Sequence, residues 1–273
     1  MAEKVEIDGM AFELRDGAVA LTGCDSEATS ISVPREVRIG GCDRPVVAIG
    51  ERAFQGLPLI SAKIPQGVIH IAEEAFSGCQ SLESVSLPPG LEFIGRKAFY
   101  GCISLAQIEM PEGVQCIGES AFADCFRLRT ASLPESVDFL GSWAFSGCAS
   151  LLEAAVPPRL GVIREGTFSD CISMNSMTIQ SGVTKIEDMS FFKCMSLLEA
   201  DIPEGVSHIG KGAFSDCISL SRLSLPRSLE SLGSSAFFGL TLADSEGHIL
   251  DHTAENVRGC IFMSDGAALR KSQ

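Results

Sequence analysis

The sequence predicts a mainly β solenoid: coils of 23 residues in which short parallel strands stack and short helical or 3₁₀ turns connect them. Three observations predict it. Phenylalanine recurs at Phe54, Phe76, Phe99, Phe122, Phe145, Phe168, Phe191, Phe214 and Phe237, every 23 residues after a first interval of 22. Around each phenylalanine the same apolar order returns, as in Ile94, Ala98, Phe99, Cys102, Leu105, Ile108, Met110 and Val114. A proline then closes the second half of the copy, at Pro88, Pro111, Pro134, Pro157, Pro203 and Pro226. Self-similarity at a fixed period outranks length in setting architecture, so 273 residues read as one array with two caps.

The N-terminal cap is residues 1–48. Val5, Ile7, Ala11, Phe12 and Leu14 lead to Asp16-Gly17, and Ala18, Val19 and Leu21 follow. Asp-Gly between apolar runs predicts a β-hairpin, because both central residues of such a turn need positive φ. Ile31-Ser32-Val33-Pro34 with Val37 matches half a repeat, and Gly40 to Pro45 reads as an insertion. A degenerate first copy suits an end coil, which must present a polar outer face.

The array is residues 49–239, nine copies with the last partial. With the Ile of Ile-Gly as position 0, positions 0, 4, 5, 8, 11, 14, 16 and 20 are apolar in nearly every copy and point inward. Positions 11 to 16 alternate, as in Leu82 to Leu87 and Leu220 to Leu225, which predicts a short half-buried strand. Proline at position 17 cannot donate to a ladder and ends it. Position 20 to position 0 makes a second extended segment. The missing residue of the first copy falls between Ile60 and Ile64. Thr167 and Ser190 replace the Ala of position 4, Gln180 the Pro, and Ala72, Arg164 and Glu187 the Gly of position 1. The C-terminal cap is residues 240–273: a turn at Asp244 to Gly247, a short helix with Thr253 as N-cap, strand-like Cys260-Ile261-Phe262, and a frayed end from Ala268.

Seven of the eleven cysteines, Cys79, Cys102, Cys125, Cys148, Cys171, Cys194 and Cys217, occupy position 8 of successive copies, and Leu57 and Leu240 take that position at the ends. Exchange with Leu marks a buried site where the thiol acts as a small hydrophobe and a weak donor. Stacked copies would hold Cβ atoms about 4.8 Å apart, wider than the ~3.8 Å a disulfide favours. A line of sulfurs also gives no tetrahedron for zinc. The row reads as reduced and structural.

Leu-x-x-Leu-x-Leu at this period, with Ile-Gly-x-x-Ala-Phe-x-x-Cys-x-Ser-Leu and Leu-Pro-x-x-Val, resembles the BspA-like (Treponema-type) leucine-rich repeat family. The resemblance covers residues 49–239 with full repeats, and roughly residues 31–48 and the C-terminal tail more loosely. It implies a leucine-rich-repeat solenoid wound as a right-handed superhelix, and a non-catalytic protein-binding molecule of microbial surfaces or secretions, with extracellular-matrix or cell-surface proteins as partners in adhesion. The alternative is an intracellular scaffolding repeat without an adhesion role.

Two faces are candidates for binding. On the concave strands, positions 13 and 15 point away from the core: Gln107 and Glu109, Thr130 and Ser132, then Glu153, Ser176 and Thr178, Glu199 and Asp201, and Arg222. They read either as a solvated sheet face or as a track for an extended or basic segment, with Glu109, Glu153, Glu199 and Asp201 supplying charge. Position 9 carries Ile103, Phe126, Ala149, Ile172, Met195 and Ile218, an apolar row that is either a partner face or half-buried against its turn. Accessibility decides between these. Trp143, the single Trp, falls on the convex surface as a candidate contact anchor.

Catalytic chemistry finds no constellation. His70 and His208 share a repeat position six coils apart, about 29 Å, and cannot share a site. His248 and His252 would face one another only on a helix, and Gly247 with Ile249-Leu250 favours a turn. Gly210-Lys211-Gly212 is the repeat's own turn rather than a phosphate loop. No metal, cofactor or enzymatic activity is expected. The net charge is −14, with 21 Lys and Arg against 35 Asp and Glu and no basic stripe, which disfavours nucleic acid and anionic membrane. Met1 to Asp8 lacks the layout of a signal peptide and no apolar run reaches membrane-spanning length. The family resemblance points to a cell surface or secretion, the free thiols to a reducing cytoplasm.

Overall fold

A computed structural model describes residues 3–15, 17–264 and 269–271. The chain packs as two compact units, Met1–Gly141 and Ser142–Gln273. Both are stacks of the same coil, mainly β with parallel strands, and α1 is the only helix among the described residues.

The first unit begins with β1 (Glu3–Ile7), β2 (Met10–Arg15), β3 (Ala18–Cys24), β4 (Ser30–Ser32), β5 (Glu36–Ile39) and β6 (Cys42–Ile49). The expected hairpin joins β2 to β3, pairing Arg15 with Ala18. Of its turn, Gly17 has φ +83°, and Asp16 lies outside the described residues. A second hairpin precedes it. Asp8 and Gly9 both take positive φ, 50° and 73°, and pair Ile7 with Met10, so the first apolar run is two strands rather than one. The insertion is likewise ordered: Gly40-Gly41 turns β5 into β6, and β3 then pairs parallel with β6 to start the stack.

From there the strands alternate between two faces. β7 (Ser61–Lys63), β9 (Ser84–Ser86), β11 (Gln107–Glu109) and β13 (Thr130–Ser132) supply the face expected to be concave. β8 (His70–Ile71), β10 (Phe93–Ile94), β12 (Cys116–Ile117) and β14 (Phe139–Leu140) continue β6 in one parallel sheet. In the first copy Leu59 is fully buried and Ile60 is 48% exposed. The deletion therefore precedes Leu59, which fills position 11, and does not fall between Ile60 and Ile64.

The second unit repeats the pattern with β15 (Glu153–Val156), β16 (Val162–Ile163), β17 (Ser176–Ile179), β18 (Lys185–Ile186), β19 (Glu199–Asp201), β20 (His208–Ile209), β21 (Arg222–Ser224) and β22 (Ser231–Leu232). β23 (Leu242–Ala243), α1 (Ala254–Val257), β24 (Ile261–Ser264) and β25 (Leu269–Lys271) close it. Thr253 caps α1 by accepting the Asn256 amide. β24 runs antiparallel to β21 and β25, so the last concave strand ends on a cross-paired strand that blunts the open edge. Leu269–Lys271 are therefore sheet and not frayed, whereas Ala268, Ser272 and Gln273 lie outside the described residues.

Each core is a column of phenylalanines. In the first unit the rings of Phe76, Phe99 and Phe122 stack at centroid distances of 5.0 and 5.2 Å, close to the strand spacing that parallel ladders impose. In the second unit Phe145 to Phe237 follow at 5.0 to 5.8 Å. The Ala-Phe-x-x-Cys segment is a run of hydrogen-bonded turns. Repeat positions 3 and 7, just before and within it, take left-handed φ, as at Lys97 (53°) and Gly101 (68°), which stops it from propagating as a helix.

The glycine of Ile-Gly has a separate reason. A Cβ on Gly118 would lie 2.5 Å from the Arg96 amide nitrogen of the coil below, so the side chain is excluded by backbone contact. In the copies carrying Arg164 and Glu187 at this position, the neighbouring alanine becomes Thr167 and Ser190. Both hydroxyls are buried and donate to carbonyls of Arg164 and Glu187, at 2.8 and 2.6 Å.

Urea denaturation checks both packing arguments. Phe99→Ala should lose about 3–5 kcal/mol by opening a cavity inside the column. Gly118→Ala should lose about 1–3 kcal/mol, whereas Gly161→Ala, with nothing within 4 Å of its Cβ, should stay within about 0.5 kcal/mol of the parent.

Candidate functional site

The concave positions point outward as the alternation requires. In the first unit Gln107 and Glu109 on β11, and Thr130 and Ser132 on β13, are exposed. In the second, Glu153, Ser176, Thr178, Glu199 and Asp201 are exposed and Arg222 is half-buried. Arg222 is not a free contact: its guanidinium lies 2.5 Å from Asp201 and 3.5 Å from Glu199, so the most acidic stretch of this face is partly neutralised from within. Hydrogen-bonded pairing lapses between β17 and β19, and a depression of about 510 Å³ opens there, lined by Asn175, Ser176, Thr178, Leu198, Glu199 and Asp201.

The position-9 row is open to solvent. Ile172, Met195 and Ile218 in the second unit are 42%, 38% and 63% exposed; in the first unit Phe126 is exposed and Ile103 half-buried. The turn brings position 9 close in sequence to position 12, where Leu152 and Leu198 are also exposed. Leu198 lines the concave depression as well. Leu198 is thus the residue through which the exposed apolar side chains of the second unit reach the polar depression. Leu152 and Leu198 escaped sequence reasoning because position 12 is variable, being polar or charged in copies such as those of Glu83, Arg129, Asn175 and Ser221. The signal that could have found them is the apolar exception itself, at Ile60, Leu152 and Leu198.

Trp143 is not an exposed anchor. It is half-buried with φ +60°, and its indole lies over Gly166 of the next coil, where a Cβ would come within 2.1 Å of the ring. His248 accepts a different role from His252: its Nδ1 lies 3.0 Å from Asp244 in the turn, whereas the His252 ring meets Phe237 edge-on at 6.2 Å. Among the described residues no group of three His, Cys, Asp or Glu is arranged to hold a metal ion.

The cysteine row joins neighbouring coils. Six of the thiols donate to the phenylalanine carbonyl of the coil below: Cys79 to Phe54 at 2.9 Å, Cys102 to Phe76 and Cys125 to Phe99 at 3.2 Å, and in the second unit Cys171 to Phe145 at 3.3 Å, with Cys194 to Phe168 and Cys217 to Phe191 at 3.2 Å. All eleven cysteines are free. Desolvation pushes the thiols up, Cys79 to about 11 and Cys125 to about 12, and Cys102, Cys171 and Cys194 in the same direction.

The sequence pattern of the BspA type leucine rich repeat region matches residues 47–171 and 150–264, in six copies. The chain belongs to the BspA-type leucine-rich repeat family. Among solved structures it is similar to the leucine-rich repeat protein of T. pallidum, at 26% identity, covering 79% of this chain and 90% of that one, with a TM-score of 0.64. It is also similar to a leucine rich cell surface protein of Faecalibacterium prausnitzii, at 29% identity over 85% of this chain and 55% of that one, TM-score 0.63. The pneumococcal vaccine antigen PcpA, 19% identical with a TM-score of 0.53 over 88% of this chain and 75% of that one, shares the fold alone. No curated protein matches the chain. Members of a BspA-type repeat family display repeated surfaces to other proteins, and such repeats are typically non-catalytic binding modules.

The thiol row has a pH signature. The unfolded chain sheds thiol protons from pH 9 upward while the folded chain keeps them. Stability from Cys79, Cys102, Cys125, Cys171 and Cys194 is therefore complete below pH 9 and is lost as pH rises through 11 to 12, by up to about 1.4 kcal/mol per pH unit for each of them. Urea titrations at pH 8 and pH 10.5 should show this fall, and Cys125→Ala should reduce its slope. In the native state a thiol reagent should modify exposed Cys42 at once and the row only after denaturation.

Proposed function

We propose that this chain is a non-catalytic protein-binding module acting in adhesion at a cell or host surface, and that the exposed apolar side chains of its second unit form the contact face. The observation that carries the reading is the exposure of Leu152, Ile172, Met195, Leu198 and Ile218 on successive coils, with Leu198 also lining the polar depression between β17 and β19. Apolar side chains together with hydrogen-bonding and carboxylate groups are the composition of a protein interface, whose energy concentrates in a few buried apolar anchors. Support for the surface setting comes from the F. prausnitzii neighbour, which is named a leucine rich cell surface protein. The second reading, an intracellular scaffold, draws support from the eleven free thiols, which suit a reducing compartment.

The test is a binding assay of the purified chain on a panel of immobilised extracellular-matrix proteins. An Ile172→Ser/Met195→Ser/Ile218→Ser variant and a Glu153→Lys/Glu199→Lys variant run beside it. Capture of a matrix protein that falls about tenfold or more in either variant supports the reading, since tenfold is 1.4 kcal/mol and one anchor is worth at least about that. No capture by the parent chain, or capture indifferent to both variants, rejects it.

A further inference from the structure

The outer sheet of the first unit carries an apolar ridge that the repeat does not require. On β8, β10, β12 and β14 the residue preceding each buried Ile or Leu points away from the core. His70, Phe93, Cys116 and Phe139 therefore stand side by side, held in parallel register. Phe93 and Phe139 are 40% and 38% exposed, and Ile69, beside His70 in the chain, is 44% exposed. The His70 and Phe93 rings meet edge to face at 6.2 Å. In the second unit the same positions hold Val162, Lys185, His208 and Ser231, so the ridge is local and not a packing demand of the coil.

Carboxylates border this ridge. Glu92 and Asp138 directly precede Phe93 and Phe139, and the Asp138 charge adds to desolvation in raising the Cys116 thiol. Glu119 is exposed two residues beyond Ile117, and Glu73 is paired with Arg96. Arg96 offsets Glu73 and Glu119 on that side, so the uncompensated negative charge lies along Glu92 and Asp138, which opposes pairing with a second copy of this acidic chain and favours a cationic partner.

The spacing selects the partner's shape. Strands about 4.8 Å apart place His70 and Phe139 roughly 14 Å from one another. An α-helix laid across the strands repeats its apolar stripe every ~5.4 Å, so over three steps the two drift apart by only about 2 Å. An extended segment presents same-side residues every ~6.8 Å and slips by about 6 Å, nearly a whole step. We infer that the Ile69, His70, Phe93 and Phe139 ridge docks the apolar stripe of a basic amphipathic helix from a protein partner, about ten residues long, with Lys or Arg along the stripe meeting Glu92 and Asp138.

The test uses the full chain and fluorescence anisotropy with a labelled (Leu-Lys-Lys-Leu-Leu-Lys-Leu)₂ peptide. Its Glu-for-Lys counterpart and a scrambled Leu/Lys peptide of equal charge without a stripe serve as controls. Three variants accompany the parent: Phe93→Thr/Phe139→Thr, whose β-branched replacements suit the strands; Glu92→Gln/Asp138→Asn; and, as a control on the other unit, Ile172→Ser/Met195→Ser/Ile218→Ser. Circular dichroism confirms that each is folded. The expected result is binding of the Lys peptide that weakens about tenfold or more in the phenylalanine variant, weakens in the carboxylate variant, and is unchanged in the second-unit control. Equal binding by the phenylalanine variant, equal binding of the scrambled or Glu peptide, loss in the second-unit control, or no binding by the parent chain overturns the inference. The matrix-protein assay reads the second unit alone, so the two proposals fail separately.

Discussion

The spacing of one coil from the next governs this molecule. A parallel hydrogen-bonded ladder holds neighbouring backbones about 4.8 Å apart, and every interior choice answers to that distance. Flat rings meet it, which is why Phe76, Phe99 and Phe122 stack nearly parallel at 5.0 and 5.2 Å. Glycine meets it where backbone crosses backbone, as at Gly118. Each repeat thus contributes the same few contacts to its neighbour, and stability accumulates along a unit as a sum of near-identical interfaces.

A stacked interior also has polar groups to satisfy. The turns leave a phenylalanine carbonyl in each coil facing the coil above, and the thiol of position 8 reaches it, as from Cys102 to Phe76. A donor as small as a thiol fits a site that Leu fills at the ends of the array, so burial and hydrogen bonding are met by one side chain. Thr167 and Ser190 solve the same problem where Gly gives way to Arg164 and Glu187, by donating to those residues' carbonyls. These two exceptions, Arg164 with Thr167 and Glu187 with Ser190, are compensating pairs.

Because the interior is the same in every coil, individuality resides outside. The two units differ most at solvent-facing positions: exposed Ile172, Met195 and Ile218 with Leu152 and Leu198 on one, a ridge of Phe93 and Phe139 on the other. Rigid, evenly spaced strands make these surfaces geometric gratings, in which the residue type at one repeat position sets affinity and the coil spacing sets which partner shapes can follow it.

The sequence by itself determined the period, the inward positions, the cysteine row, the Thr253 cap and the outward direction of the concave residues. These follow from alternation and turn chemistry within one copy, where a residue's neighbours along the chain decide its face. The Asp8-Gly9 turn was equally legible, from the same chemistry as Asp16-Gly17, but was hidden inside an apolar run. Only tertiary structure decided the rest. Leu59 rather than Ile60 fills the core of the shortened copy, because the coil closes on the side chain that reaches the stack. Trp143 lies on Gly166, and Arg222 lies between Glu199 and Asp201, through contacts between coils 23 residues apart in the chain. Periodicity states which way a side chain points, and the stacking of coils states what it meets.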